Sequence, residues 1–151
     1  MIPAQNMKVL NITPPAAIID NAAVTVAEVD TKGWDYCQIY AFLGATDIAM
    51  TALKVTESDT TGTGHADVTG LVYGTSTDID GDTSALPTST DDNGIFCFDI
   101  DPKGRKRFLD VSATCGDGSS GTYITLAAVL SRAHDGVTNI SDRGLTGCLR
   151  V

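Results

Sequence analysis

"IFCFDIDPKGRKRFLDVSATC", residues Ile95 to Cys115, decides the fold class. Phe96, Phe98 and Ile100 occupy alternate positions, and Leu109, Val111 and Ala113 repeat the pattern on the return. A period of two places all of one set on one side of an extended chain, the mark of a strand with one buried face. Between the runs lies Asp101-Pro102-Lys103-Gly104. Asp at the first position bonds its own backbone, Pro presets φ at the second, and Gly eases the exit at the fourth, as in a type I turn. The stretch therefore predicts a β-hairpin.

The rest of the chain reads the same way. "DYCQIYAFLGA" (Asp35–Ala45) is a strand with Cys37, Ile39, Ala41 and Leu43 on one face and Tyr36, Gln38, Tyr40 and Phe42 on the other. Both faces are apolar, so this strand is expected to be central or to pack on a neighbouring subunit. "KVLNIT" (Lys8–Thr13) is a short strand stopped by Pro14–Pro15, and "AAVTVAEVD" (Ala22–Asp30) another, with Val24 and Val26 on one side. Thr31–Trp34 turns the chain. Ala49–Ser58 alternates, with Leu53 and Val55 opposed to Lys54 and Thr56. "TYITLAAVLSRA" (Thr122–Ala133) carries Ile124, Leu126, Ala128 and Leu130 on one side, with a helix over Ala127–His134 as the local alternative. Asp59–Gly94 is rich in Gly, Ser, Thr and Asp and reads as loops, with short extended pieces at Ala66–Val68 and Leu71–Tyr73. Roughly eight strands with reversals between them predict an all-β chain: an antiparallel β-sandwich or jelly-roll-like single domain. Its expected limits are an N-terminal arm over 1–7, the sandwich over 8–134 and an extended C-terminal arm over 135–151.

With 151 residues, the chain is long enough to bury a core without crosslinks. Ten basic against 19 acidic residues give a net charge of −9, which argues against nucleic acid and anionic membranes as partners. The N-terminal twenty residues make a poor signal peptide, and no run approaches 18 apolar residues. Between Lys54 and Lys103 there is no Lys or Arg, while ten acidic residues fall there. Lys103, Arg105, Lys106 and Arg107 form the one basic cluster, expected either to pair with an acidic patch on a neighbouring subunit or to be solvated.

"TDIDGDT" (Thr77–Thr83) comes nearest to a metal-ligand pattern, with Asp78, Asp80 and Asp82 as candidates. Counted from Asp78, however, the sixth position is Thr83 and the twelfth Ser89, where a calcium loop of the EF-hand type needs Gly and Glu. The loop is therefore read as solvated acid, with no metal and no cofactor. His65 and His134 stand apart in sequence, and no G-x-S-x-G elbow, phosphate loop or dinucleotide fingerprint occurs, so no catalytic residue is assigned. Trp34 and Tyr36 read as a core or interface anchor rather than a carbohydrate platform. Cys37, Cys97, Cys115 and Cys148 lack C-x-x-C spacing; their three possible pairings stay open, and reduced thiols packed as small hydrophobes are the preferred reading.

At "TKGWDYCQIYAFLGATDIAMTALKVTESD", and again at "STDDNGIFCFDIDPKGRKRFLDVSATCGDGSSGTYITLAAVLSRA", the chain resembles small structural proteins encoded in the head-gene region of tailed bacteriophages. These are similar to capsid decoration, or cement, proteins. The resemblance covers about half of the chain and consists of packing and turn patterns, so it carries over no catalytic residue. It implies a β-rich, non-enzymatic virion protein, a homotrimer bound to the major capsid protein on the capsid exterior and assembled in the bacterial cytoplasm. The alternative expectation is a phage-tail or surface-displayed β-sandwich module that binds glycan or calcium.

Overall fold

The computed structural model describes residues 6–13, 17–24, 26–135 and 139–149. Eight strands follow one another: β1 (Met7–Thr13), β2 (Val29–Asp30), β3 (Trp34–Thr46), β4 (Ala52–Ser58), β5 (Ala66–Val72), β6 (Ile95–Ile100), β7 (Phe108–Thr114) and β8 (Thr122–Ala133). They form two antiparallel four-stranded sheets, ordered β1-β8-β3-β6 and β2-β7-β4-β5. The pairs β1·β8, β2·β7, β3·β6 and β4·β5 match each strand of the first half with its mirror in the second. That is a long hairpin rolled into a sandwich, the jelly-roll winding, and β8·β3 and β7·β4 are the contacts that close the roll.

The period of two decides what the sheets enclose. Cys37, Ile39, Ala41 and Leu43 of β3, Ile124, Leu126, Ala128 and Leu130 of β8, and Phe98 and Ile100 of β6 point inward from one sheet. Leu53 and Val55 of β4, Val68 of β5, and Leu109, Val111 and Ala113 of β7 meet them from the other. β8 is a strand to its end at Ala133, so the helical alternative does not occur.

The stretch from Ile95 to Cys115 forms two strands with the expected inward faces, but they are not a hairpin. β6 pairs with β3, and β7 pairs with β4 and β2. Residues 101–107 cross from one sheet to the other, so the two apolar faces look at each other across the core. The turn also lies one residue later than expected. Asp101 Oδ1 accepts the Lys103 N–H at 2.9 Å, and the Arg105 N–H donates to the Pro102 C=O at 3.0 Å. Gly104, third in that turn, takes φ +76°, which a side chain would resist.

The strand expected over Ala22–Asp30 shrinks to Val29–Asp30. This segment carries the chain from β1 to the opposite sheet, so it touches both without following either. Ala27 N–H donates to Ile12 C=O and Val24 N–H to Ala113 C=O, with Val24 still buried. The two pieces expected within Ala66–Tyr73 are one strand, β5. β1 starts at Met7, inside the expected arm; residues 1–5 lie outside the described residues. Of the expected C-terminal arm, Ile140 to Leu145 form a hydrogen-bonded turn, and Arg143 C=O accepts the Val9 N–H on the outer edge of β1 at 2.9 Å. Residues 136–138 and 150–151 lie outside the described residues.

Candidate functional site

The two outer faces of the sandwich differ in chemistry. Outward positions of the β2-β7-β4-β5 sheet include Asp30, Asp110, Ser112, Thr114, Lys54, Thr56 and Asp67. Lys54 Nζ pairs with Asp67 at 2.8 Å, and the Arg107 guanidinium holds Asp30 through two hydrogen bonds of 2.8 and 2.6 Å while lying over Phe108. That face is the more polar of the two, although Thr56 is buried and Ala52, Val72 and Phe108 share its rows.

The outer face of the β1-β8-β3-β6 sheet is richer in apolar side chains. Register places Val9, Val129, Gln38 and Asp99 in one row, Asn11, Ala127, Tyr40 and Cys97 in the next, and Thr125, Phe42 and Ile95 in a third. Tyr40 and Phe42 stack with ring centroids 6.1 Å apart. Phe42 is 40 % exposed, Ile95 62 % and Tyr123 47 %. Asp99 is the one charge in these rows, and it is occupied: Gln38 Nε2 donates to it at 2.8 Å. Phe42 and Ile95, paired across β3 and β6, thus leave neighbouring apolar side chains open to solvent.

A cleft lies beside this face, on the side of the roll where β5 and β6, the edges of different sheets, are not joined. Its floor is Leu71, Tyr73 and Phe98, its volume about 420 Å³. Tyr73 sits edge-on to Phe96 and Phe98 at 5.3 and 5.1 Å, and its hydroxyl donates to Cys97 C=O at 2.8 Å, tying the two edges together. The acidic hairpin expected as a calcium candidate forms one wall. Thr77 and Thr83 bridge there, and Asp78 Oδ1 accepts the N–H groups of Asp80 at 3.0 Å and Asp82 at 3.1 Å. The Asp78 carboxylate thus caps its own turn. Among the described residues, no group of three His, Cys, Asp or Glu is placed to hold a metal. Asp78→Ala is expected to lower the melting temperature by about 2–4 °C, the equivalent of one exposed turn-capping interaction in a domain of this size; differential scanning fluorimetry measures it.

The other residues singled out in the sequence are dispersed. Asp47 accepts the N–H groups of Ser119 and Ser120, and the Ser120 bond above all holds its carboxyl below the usual range. Loops 17–24, 47–51, 73–94 and 115–121 meet at this end, where every charged residue is an aspartate. The basic turn lies at the opposite end. Arg107 is spent on Asp30, and Arg105 lies 3.7 Å from Glu57, so half of the cluster finds acids within its own chain. His65 Nε2 lies 3.0 Å from Glu28, badly directed for a hydrogen bond, and His134 Nε2 lies 2.8 Å from Asp35. All four thiols are free: Cys37 and Cys115 are buried, Cys97 is half-buried and Cys148 exposed. Burial pushes the Cys37 thiol up to about 12 and Cys97 to about 11. Sequence reading found the second apolar face of β3, but missed Val9, Ile95 and Tyr123, which extend it. The signals were Val9 in β1, Ile95 in β6 and Tyr123 in β8, each out of phase with its strand's inward residues.

These features define an all-β sandwich with one apolar outer face and an open-edged cleft. No protein-family model matches the chain, and no curated protein or solved structure is significantly similar to it.

Proposed function

We propose that the protein is a virion structural protein: a capsid decoration, or cement, protein that binds the outer surface of the major capsid lattice as a homotrimer and stabilises the head. The observation that carries this reading is the contrast between the two sheets, one with ion pairs on its outer face and the other presenting Tyr40, Phe42, Val129 and Ile95. A protein whose task is contact area needs such a face on a rigid support. The sandwich core supplies the rigidity, and repetition over a lattice multiplies a modest single contact into avidity. The phage-head resemblance of two sequence stretches points to the same class.

The experiment is removal and return. Capsids stripped of the protein are expected to lose resistance to heat and low salt and to regain it when the purified protein is added back. Equal stability of stripped and decorated capsids would sink the reading.

A further inference from the structure

We propose that the cleft between β5 and β6 is a socket for the segment Gly147–Val151 of a second copy of the chain. This deepens the reading of the protein as a homo-oligomer, but does not depend on a capsid.

Three observations carry it. The first is the cleft's chemistry. Its floor is apolar and aromatic, and Asp78 and Asp99 line its rim. Asp80 and Asp82 stand on the same hairpin, and the sequence from 55 to 102 contains no Lys or Arg. An occupant should therefore be apolar with a positive charge.

The second is the outer edge of β6, which pairs with no other strand. The Cys97 C=O accepts from Tyr73, on the side away from β3. In an antiparallel ladder alternate residues turn both backbone groups the same way, so the N–H groups of Cys97 and Asp99 also face the cleft. An extended segment can pair there as an added strand.

The third is the segment itself. Leu149-Arg150-Val151 is apolar, cationic, apolar. In an extended chain Leu149 and Val151 share one side and Arg150 takes the other. Two apolar side chains then meet the floor while the guanidinium meets the acidic rim. Leu149 is wholly exposed, at 102 %, and makes no use of its own chain's core. The preceding turn is anchored on β1, by Val9 N–H to Arg143 C=O, and β1 is the sheet edge farthest from β6. The segment thus leaves from one side of the molecule and its socket lies on the other. Such a head-to-tail contact closes into a ring when successive copies are rotated suitably, as a trimer requires.

The test uses the full chain with Cys148→Ser, which removes disulfide crosslinking. Sedimentation velocity is run across a concentration series at low and high salt. Concentration-dependent association is expected, weakened by salt because a charge pair contributes. Arg150→Glu and Asp99→Lys should each weaken association about tenfold or more, and the two together should restore most of it. Melting temperature checks that both variants remain folded. A synthetic Gly-Ser-Leu-Arg-Val peptide should compete, whereas Gly-Ser-Asp-Glu-Val should not. A monomer at every concentration overturns the proposal, and so does association that is indifferent to both substitutions or not restored by their combination. Association that follows the charge swap in a protein that fails to restore stripped capsids would retain the socket and remove the capsid reading.

Discussion

The double substitution Phe42→Asp with Ile95→Asp is expected to abolish attachment to stripped capsids while leaving the domain folded. The two residues are direct neighbours across β3 and β6, and both point outward. Their exposure, 40 % and 62 %, means that the isolated chain gains little from their apolar surface. Aspartate is a poor strand residue, and the two changes together should cost about 1–2 kcal/mol of stability. An interface centred on them would have to desolvate two unpaired carboxylates instead, a penalty of several kcal/mol. Attachment measured by co-sedimentation should fall more than 100-fold. Circular dichroism should retain the β spectrum. Ser112→Asp, on the polar face, is the matching control and should bind as the unaltered chain does. If the double variant binds stripped capsids normally, the apolar face is not the docking surface.

The strands were legible in the sequence because period two is a local property. β3, β4, β6, β7 and β8 lie where the alternation of Ile39/Ala41/Leu43, Leu53/Val55, Phe98/Ile100, Val111/Ala113 and Leu126/Ala128 puts them. Partners were less legible. The Pro102–Arg105 turn looks alike whether it joins paired neighbours or hands the chain from one sheet to the other, and here it does the second. What separates the cases is the long-range contest for the edges of β6 and β7, won by β3 and by β2 and β4. The same handover explains Ala22–Val24 and Val26–Glu28, whose valines have strand propensity but no continuous edge to join.

The candidate site was half visible for the same reason. Tyr40 and Phe42 announce a second apolar face within one strand, but a face becomes a surface only when the register sets Val129 and Ile95 beside them. The cleft was not visible at all. Tyr73 and Phe98 lie on either side of the loop 74–94 and adjoin only because β5 and β6 end up as facing edges. The acidic hairpin was visible as a cluster. Its role as a cleft wall, with Asp78 occupied in capping its own turn, depends on the folded path of residues 73–94.

Stability should collapse on the alkaline side, and Cys37 should be a principal cause. Its thiol is buried on the central strand β3, opposite Leu130 and Ile100, and burial pushes it from 9.0 to about 12. The folded state thus holds its proton more tightly than the unfolded chain does. Such a group stabilises fully below its unfolded value; the contribution is lost as pH rises from about 9 through about 12. Each pH unit in that window costs about 1.4 kcal/mol per group, so Cys37 alone should remove about 2–3 kcal/mol by pH 11. Cys97, raised to about 11, adds to the same slope. Urea unfolding between pH 7 and 11 should show a flat region followed by this decline. Cys37→Ala should be less stable than the unaltered chain at pH 7, by about 1 kcal/mol for the small cavity. It lacks the titration, so the two stability curves should cross near pH 10. Parallel curves would mean that the Cys37 thiol ionises as freely in the folded protein as in the unfolded one, against its position between β8 and β6 in the closed core.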